Sequence, residues 1–252
     1  MTDSHDATQP PYPETADIET SNDDYATRFA GKTGQWLLDV QERLTLSLID
    51  RDQGLRILDV GGGHGQLAIP LCREGYEVTV IGSDASCRKR IAEIVDSGAC
   101  TFDIGNVIDL PYEDDSFDTV IAFRMMTHCE RWPELTRELC RVAKHAVIVD
   151  YPTSQGMNAI APMFFEAKKK VEVNTRTWKL FKHREVLDAF QAHGFRKERR
   201  KAQFFLPMVV HRMLKCKPLS TFAEAVCRIL GFTGLWGSPV IIRMVPDPQG
   251  KR

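Results

Sequence analysis

The sequence predicts an α/β fold, a mostly parallel sheet layered between helices, and three observations predict it. The first is the stretch Leu55 to Pro70, L-R-I-L-D-V-G-G-G-H-G-Q-L-A-I-P. Ile57, Leu58 and Val60 form a short apolar strand of the kind buried on both faces of a parallel sheet. Gly61, Gly62, Gly63 and Gly65 are too dense for a strand or a helix interior, so they mark a tight turn with backbone open to a ligand. A helix is expected from about Gln66 to Arg73. The second observation is that short β-branched runs alternate with helical stretches through the rest of the chain, as a βα layering requires. The third is length: 252 residues suit one α/β domain with additions, enough to bury about three quarters of the extended surface.

Composition sets limits. Hydrophobic residues make up 43% of the chain and its formal charge is -1, with an isoelectric point near 6.7. That balance gives no general reason to expect nucleic-acid binding or attraction to an anionic membrane. No run approaches the roughly 18 uninterrupted apolar residues of a bilayer span, and the polar N-terminus is no secretory signal. The seven cysteines are scattered and never in C-x-x-C spacing, which reads as reduced thiols in a cytoplasmic protein.

Taken in order, residues 1–20 hold Asp3, Asp6, Glu14, Asp17 and Glu19 with Pro10, Pro11 and Pro13, and no Lys or Arg. A disordered acidic tail is expected there. Residues 21–50 differ: Trp36, Leu37, Val40, Leu44 and Leu48 recur at helical spacing, so a helix precedes the first strand. Tyr25, Arg28 and Phe29 stand ahead of it.

Strand, glycine turn and helix together present free N–H groups at a helix start, where an anion is favoured. Phosphates and carboxylates are served alike, and spacing separates them. A dinucleotide fingerprint needs G-x-G-x-x-G, and counting from Gly61 puts Gln66 at the last glycine. The pattern present is Asp59-x-Gly61-x-Gly63-x-Gly65. It resembles motif I of the class I S-adenosylmethionine-dependent methyltransferases. That resemblance implies a Rossmann-like three-layer sandwich, with a seven-stranded, mostly parallel sheet and an antiparallel last strand. It implies S-adenosyl-L-methionine as cofactor, with Gly61, Gly62 and Gly63 against its methionyl part and Asp59 holding its amino group. It also implies that residues 21–50 form a lid over the cofactor mouth, where Tyr25 sits and Arg28 meets the methionyl carboxylate. Packing of Tyr25 and Phe29 on the core is the competing reading.

Glu77 to Ile81 reads as strand two. The resemblance implies a carboxylate at its end for the ribose hydroxyls, but the expected position falls on Gly82. Asp84 two residues on, or Ser83 with backbone N–H groups, would take that role, while Asp84 is equally placed to cap a helix from Ala85 to about Asp96. Strand three is expected near Ala99 to Phe102. The following run resembles the family's adenine-binding turn, with Asn106 replacing the usual Asp as acceptor of the 6-amino group and Val107 offering its backbone N–H.

Strand four, Thr119 to Phe123, delivers R-M-M-T-H-C to the carboxyl edge of the sheet, where open α/β sheets bind ligands. Arg124 to Cys129 is therefore the place to seek groups facing methyl donor and acceptor. Arg124 is assigned to the cofactor. His128 is the candidate general base on a hydroxyl acceptor, because imidazole titrates near neutrality; an orienting role is the alternative. Asp150, Tyr151 and His211 stand behind it as base candidates. No metal spacing surrounds Cys129, and no metal is expected.

Pro133 to Val142 reads as a helix, His145 to Asp150 as strand five, Met157 to Val173 and His183 to His193 as helices, and Phe195 to Phe205 as strand six. Lys168 to Lys170 and Arg196 to Lys201 make this third locally basic, as a solvated face or for an anionic partner. Residues 51–205 thus form the methyltransferase-like core. Residues 206–236 are a long apolar insertion expected to form two short amphipathic helices, either a cap over a hydrophobic acceptor or a dimer or peripheral membrane contact. Residues 237–252 supply the last strand, Ser238 to Val245, and a polar tail. The resemblance implies methyl transfer to the oxygen or carbon of a hydrophobic small molecule, in the manner of the quinone-biosynthesis-like branch, by a monomer or homodimer that needs no nucleic acid. A protein or RNA methyltransferase and a non-catalytic cofactor-binding protein are the other readings.

Overall fold

A computed structural model of the chain describes residues 12–155 and 179–248. Its sheet contains β1 (Arg56–Val60), β2 (Glu77–Gly82), β3 (Cys100–Ile104), β4 (Phe117–Ala122), β5 (Ala143–Tyr151), β6 (Phe195–Phe204) and β7 (Ser238–Pro246). The spatial order is β3-β2-β1-β4-β5-β7-β6. β1 to β5 pair in parallel, and β7 runs antiparallel to both neighbours, β5 and β6. The seven strands read from the pattern are all present, the ends differing by a few residues.

Period-2 alternation divides the core into two layers. Leu58, Val60, Val120, Val147 and Val149 face Leu135, Leu139, Val186 and Phe190, which come from α6 (Trp132–Val142) and α7 (His183–Gln191). Ile57, Val80, Ile121 and Ile148 face the other way, onto Leu48, Ala68 and Leu71. The last two belong to α4 (Ala68–Arg73). Each such side chain is fully or nearly fully buried, the valines, leucines, isoleucines and phenylalanine worth about 1.5–3 kcal/mol apiece against exposure. Strand order reverses between β1 and β4, so a crevice opens at their carboxyl ends.

Three expectations change. The tail expected over residues 1–20 is not tail throughout: α1 (Ala16–Thr20) is helical and Ala16, Asp17 and Thr20 are buried, because Asp17 finds donors on the sheet edge. The helix expected over 85–96 is a 3-10 stretch, Ala85–Ile91, followed by α5 (Ala92–Asp96). The insertion forms three helices, α8 (Met208–Leu214), α9 (Lys217–Ile229) and α10 (Phe232–Trp236). Ahead of β1 run α2 (Asp23–Thr27) and α3 (Gly31–Leu46). The helix expected over Met157 to Val173, with Lys168 to Lys170, lies outside the described residues. No helix among those described is long and apolar enough to cross a membrane.

Candidate functional site

The glycine turn after β1 admits no side chain. Gly61 and Gly65 take left-handed φ values of 74° and 77°, which glycine adopts without penalty. A Cβ on Gly61 would stand 2.3 Å from Met125 Sδ, one on Gly62 2.1 Å from Asp59 Oδ2, and one on Gly63 2.3 Å from the Cys87 carbonyl oxygen. Asp59 lies beneath the turn, 2% exposed. Burial pushes its carboxyl up to about 7, with Arg124 pulling the other way.

Arg124 follows β4 with φ of 61°, a left-handed conformation uncommon for a non-glycine residue and held by its surroundings. Its backbone N–H donates to Asp150 Oδ1 at 2.6 Å. Its guanidinium donates to Gln41 Oε1 at 3.2 Å and to Gln66 Oε1. It also lies 4.6 Å from the Phe29 ring centroid and 5.5 Å from that of Tyr25, within cation–π range. Gln41 Nε2 donates in turn to Asp150 Oδ2 at 3.0 Å. Burial pushes the Asp150 carboxyl up to about 6, against the opposing Arg124 N–H and charge.

These groups border a cavity of about 100 Å³. Tyr25, Phe29 and Leu37 wall it from the N-terminal helices, and Arg124, Thr127 and His128 from the loop after β4. Gln41, Asp150 and Pro152 close one side, with Gln203 of β6 and Met208 of the insertion. Tyr25, Arg124 and His128 thus border one cavity, whereas Asp59, Gly61, Gly62, Gly63, Ser83, Asp84, Asn106 and Val107 are not among its lining residues. The Arg28 guanidinium instead lies 4.7 Å from the Tyr25 ring centroid and does not line the cavity. Tyr151 Oη is paired with His183 Nδ1, and His211 is buried beside Glu224 at 3.1 Å and Trp36. Neither of these base candidates lines the space.

The end of β2 is taken up by the chain itself. Asp84 caps the following 3-10 stretch, accepting from the Ser86 N–H at 2.8 Å; hydrogen bonding from the Ser86 side chain, and then from that N–H, holds its carboxyl below the usual range. The Ser83 N–H and Oγ–H donate to the two Asp17 oxygens at 2.5 and 2.6 Å. Glu14 accepts from the Arg131 N–H at 2.7 Å. Ser21 Oγ lies 2.6 Å from where a Gly63 Cβ would stand. Residues 14–21 therefore fill the crevice between glycine turn, β2 and the loop before α6. Asn106 Oδ1 accepts from the Ile108 N–H at 3.2 Å, closing its own turn, and Val107 is fully buried.

Sequence reasoning missed Asp17, Gln41, His64 and Met125 as site residues. Gln41 carried a signal, a polar residue on the apolar stripe of α3. His64 has both ring nitrogens buried without a hydrogen-bond partner among the described residues and stands edge-on to Tyr25 and Phe29. Burial, then the Arg124 and Arg90 charges, push it down to about 3, so the ring is neutral. Cys129 is buried, its thiol pushed well above the usual range by desolvation, and among the described residues no His, Cys, Asp and Glu cluster could hold a metal.

Residues 58–149 match a family model described as a methyltransferase domain. The chain is 33% identical over 117 residues to the methyltransferase GfsG of Streptomyces halstedii, covering 43% of this chain and 42% of that protein. It is 32% identical over 122 residues to the ubiquinone/menaquinone biosynthesis C-methyltransferase UbiE of Geobacter sulfurreducens, covering 44% and 47%. The matched region thus spans less than half the length of these curated relatives. Among solved structures, magnesium protoporphyrin IX methyltransferase from Synechocystis PCC 6803 with bound SAH gives a TM-score of 0.60 at 16% identity, over 91% of this chain and 98% of that one. The [4+2]-cyclase SpnF gives 0.56 at 19%, over 82% and 80%. At such identities the likeness shows the fold, and one fold houses several chemistries.

Proposed function

We propose that the chain, whose residues 58–149 match a methyltransferase-domain model, is a class I S-adenosylmethionine-dependent methyltransferase that transfers a methyl group to the oxygen, or carbon, of a hydrophobic small molecule. One observation carries the reading: a glycine turn with no room for a side chain covers a buried acid, Asp59, which feels the charge of Arg124, and Arg124 in turn lines a cavity together with Asp150 and His128. A sulfonium amino acid fits these residues. Its ammonium supplies the cation that the raised Asp59 carboxyl lacks, and a turn stripped of Cβ atoms lets backbone approach it closely.

The cofactor, when bound, supplies a methyl group already activated for transfer. The chain's part is to align, to exclude water and to hold protons. Asp59 with Gly61, Gly62 and Gly63 would hold the methionyl end, and Arg124, bonded to Gln66 beside the turn, would hold its carboxylate; Arg28, which lies on Tyr25 outside the cavity lining, would have to move to join it. Asp84, or Ser83 once Asp17 has left it, would serve the ribose, and Asn106 and Val107 the adenine. Tyr25 and Phe29 close the mouth. His128 takes the proton of a hydroxyl acceptor, and a carboxylate acceptor needs no such step.

Isothermal titration of the folded chain with S-adenosylmethionine and SAH tests the cofactor; absence of binding removes the proposal. Incubation with methyl-labelled cofactor and a metabolite extract, read by mass spectrometry, identifies the acceptor. Label appearing only in protein or RNA would refute the small-molecule reading.

A further inference from the structure

The helices between β6 and β7 are built inside out. On α9 the buried residues are Ser220 and Glu224, while Leu219, Phe222, Val226 and Ile229, at helical spacing, are 50%, 69%, 39% and 85% exposed. On α10 Thr233 is buried, and Leu235 and Trp236 face solvent. Among the described residues every exposed large hydrophobic side chain except Ile104 falls within 213–236. The inversion is held in place: Glu224 accepts the Phe205 N–H at 2.9 Å and the Leu206 N–H at 2.8 Å, and it pairs with His211. A helix anchored by its polar side cannot turn its apolar face inward.

Charge selects what covers that face. Residues 206–236 carry Arg212, Lys215, Lys217 and Arg228, and their one acid is Glu224, which is buried. The basic strand β6 adjoins them, Arg200 Nη1 donating to the Gly234 carbonyl at 2.7 Å. A second copy on a two-fold axis would bring these cations together, whereas anionic headgroups neutralise them while Phe222, Ile229, Leu235 and Trp236 enter the acyl boundary. We infer that α9 and α10 dock the protein on the surface of an anionic lipid bilayer. The docking stands independently of the reading of the methyl-transfer site, although Met208 of α8 lines the cavity and so joins it to the docking face.

Co-sedimentation of the full chain with vesicles of phosphatidylcholine, or of equal parts phosphatidylcholine and phosphatidylglycerol, tests this. The wild type is expected to pellet with the anionic vesicles and to be released as salt rises. K215E/K217E should weaken binding on the order of tenfold. F222S/I229S/L235S should bring it to background while the circular dichroism spectrum and melting temperature stay as in wild type, since the replaced side chains are exposed. The inference is overturned if the wild type stays in the supernatant, pellets equally with both lipids, or is matched by the folded triple variant. It is equally overturned if light scattering finds a dimer that the triple variant dissolves, for then a second copy covers the face.

Discussion

A buried carboxyl group with little cationic compensation titrates late, and at Asp59 this has consequences for both stability and binding. Its folded pKa, about 7, exceeds the unsheltered 3.8, so between these values the folded chain holds more protons than the unfolded one. Stability from this group is therefore complete at low pH and lost as pH rises through 7. Asp59→Asn is expected to flatten that slope and to stabilise the chain at pH 8 on the order of 2 kcal/mol, checked by urea unfolding at pH 5 and pH 8. In the same pH window SAH affinity should climb for the wild type, as Asp59 ionises to meet the ammonium, and stay level for the variant. His128 bears the second residue-scale prediction. His128→Asn should lower kcat by about 10²–10⁴ on a hydroxyl acceptor and leave the SAH dissociation constant unchanged; a fall of less than tenfold would make His128 an orienting residue. Asp59 and the glycines could be read from spacing alone, since their chemistry is local. Asp17 could not, because an acid in a proline-rich, cation-free segment looks the same whether it is solvated or buried on Ser83.

Elements raise different questions, since here the sequence pattern and its placement come apart. The segment holding α1 occupies the crevice end that the ribose would use, with Asp17 on Ser83. A chain beginning at Asn22 is expected to bind SAH on the order of tenfold more tightly, because binding no longer requires that segment to leave; weaker binding in calorimetry would show instead that Asp17 belongs to the wall of the site. In α9, Glu224→Ala would leave the Phe205 and Leu206 N–H groups and His211 without their acceptor. A loss of about 2–4 kcal/mol in denaturant unfolding is expected, with Glu224→Gln losing less because an amide oxygen still accepts. The amphipathic pattern of residues 206–236 was legible, but periodicity does not say which face turns inward.

At the scale of the molecule, a formal charge of -1 conceals a separation of charge. Acids gather in the N-terminal segment over the site, and bases gather along β6 and the insertion. The balanced total argued against attraction to anionic membranes, whereas the folded chain collects its cations beside its exposed apolar helices, and local field rather than net charge governs such contact. Arg243 of β7, fully buried, binds β6 through Glu198 at 2.6 Å and the loop after α3 through the Leu48 carbonyl at 2.9 Å. The antiparallel edge of the sheet is thereby tied to the N-terminal helices that wall the cavity.

The sequence by itself determined the strands, their parallel layering and the glycine turn over Asp59, because hydrophobic period and glycine spacing act through neighbours a few residues apart. Only the tertiary structure decided that Asp17 sits on Ser83, that Gln41, Arg124 and Asp150 join in one network, and that α9 and α10 face outward. Each of these unites residues of different elements, and the energy that selects among such pairings is that of burying and satisfying polar groups, which no local pattern records.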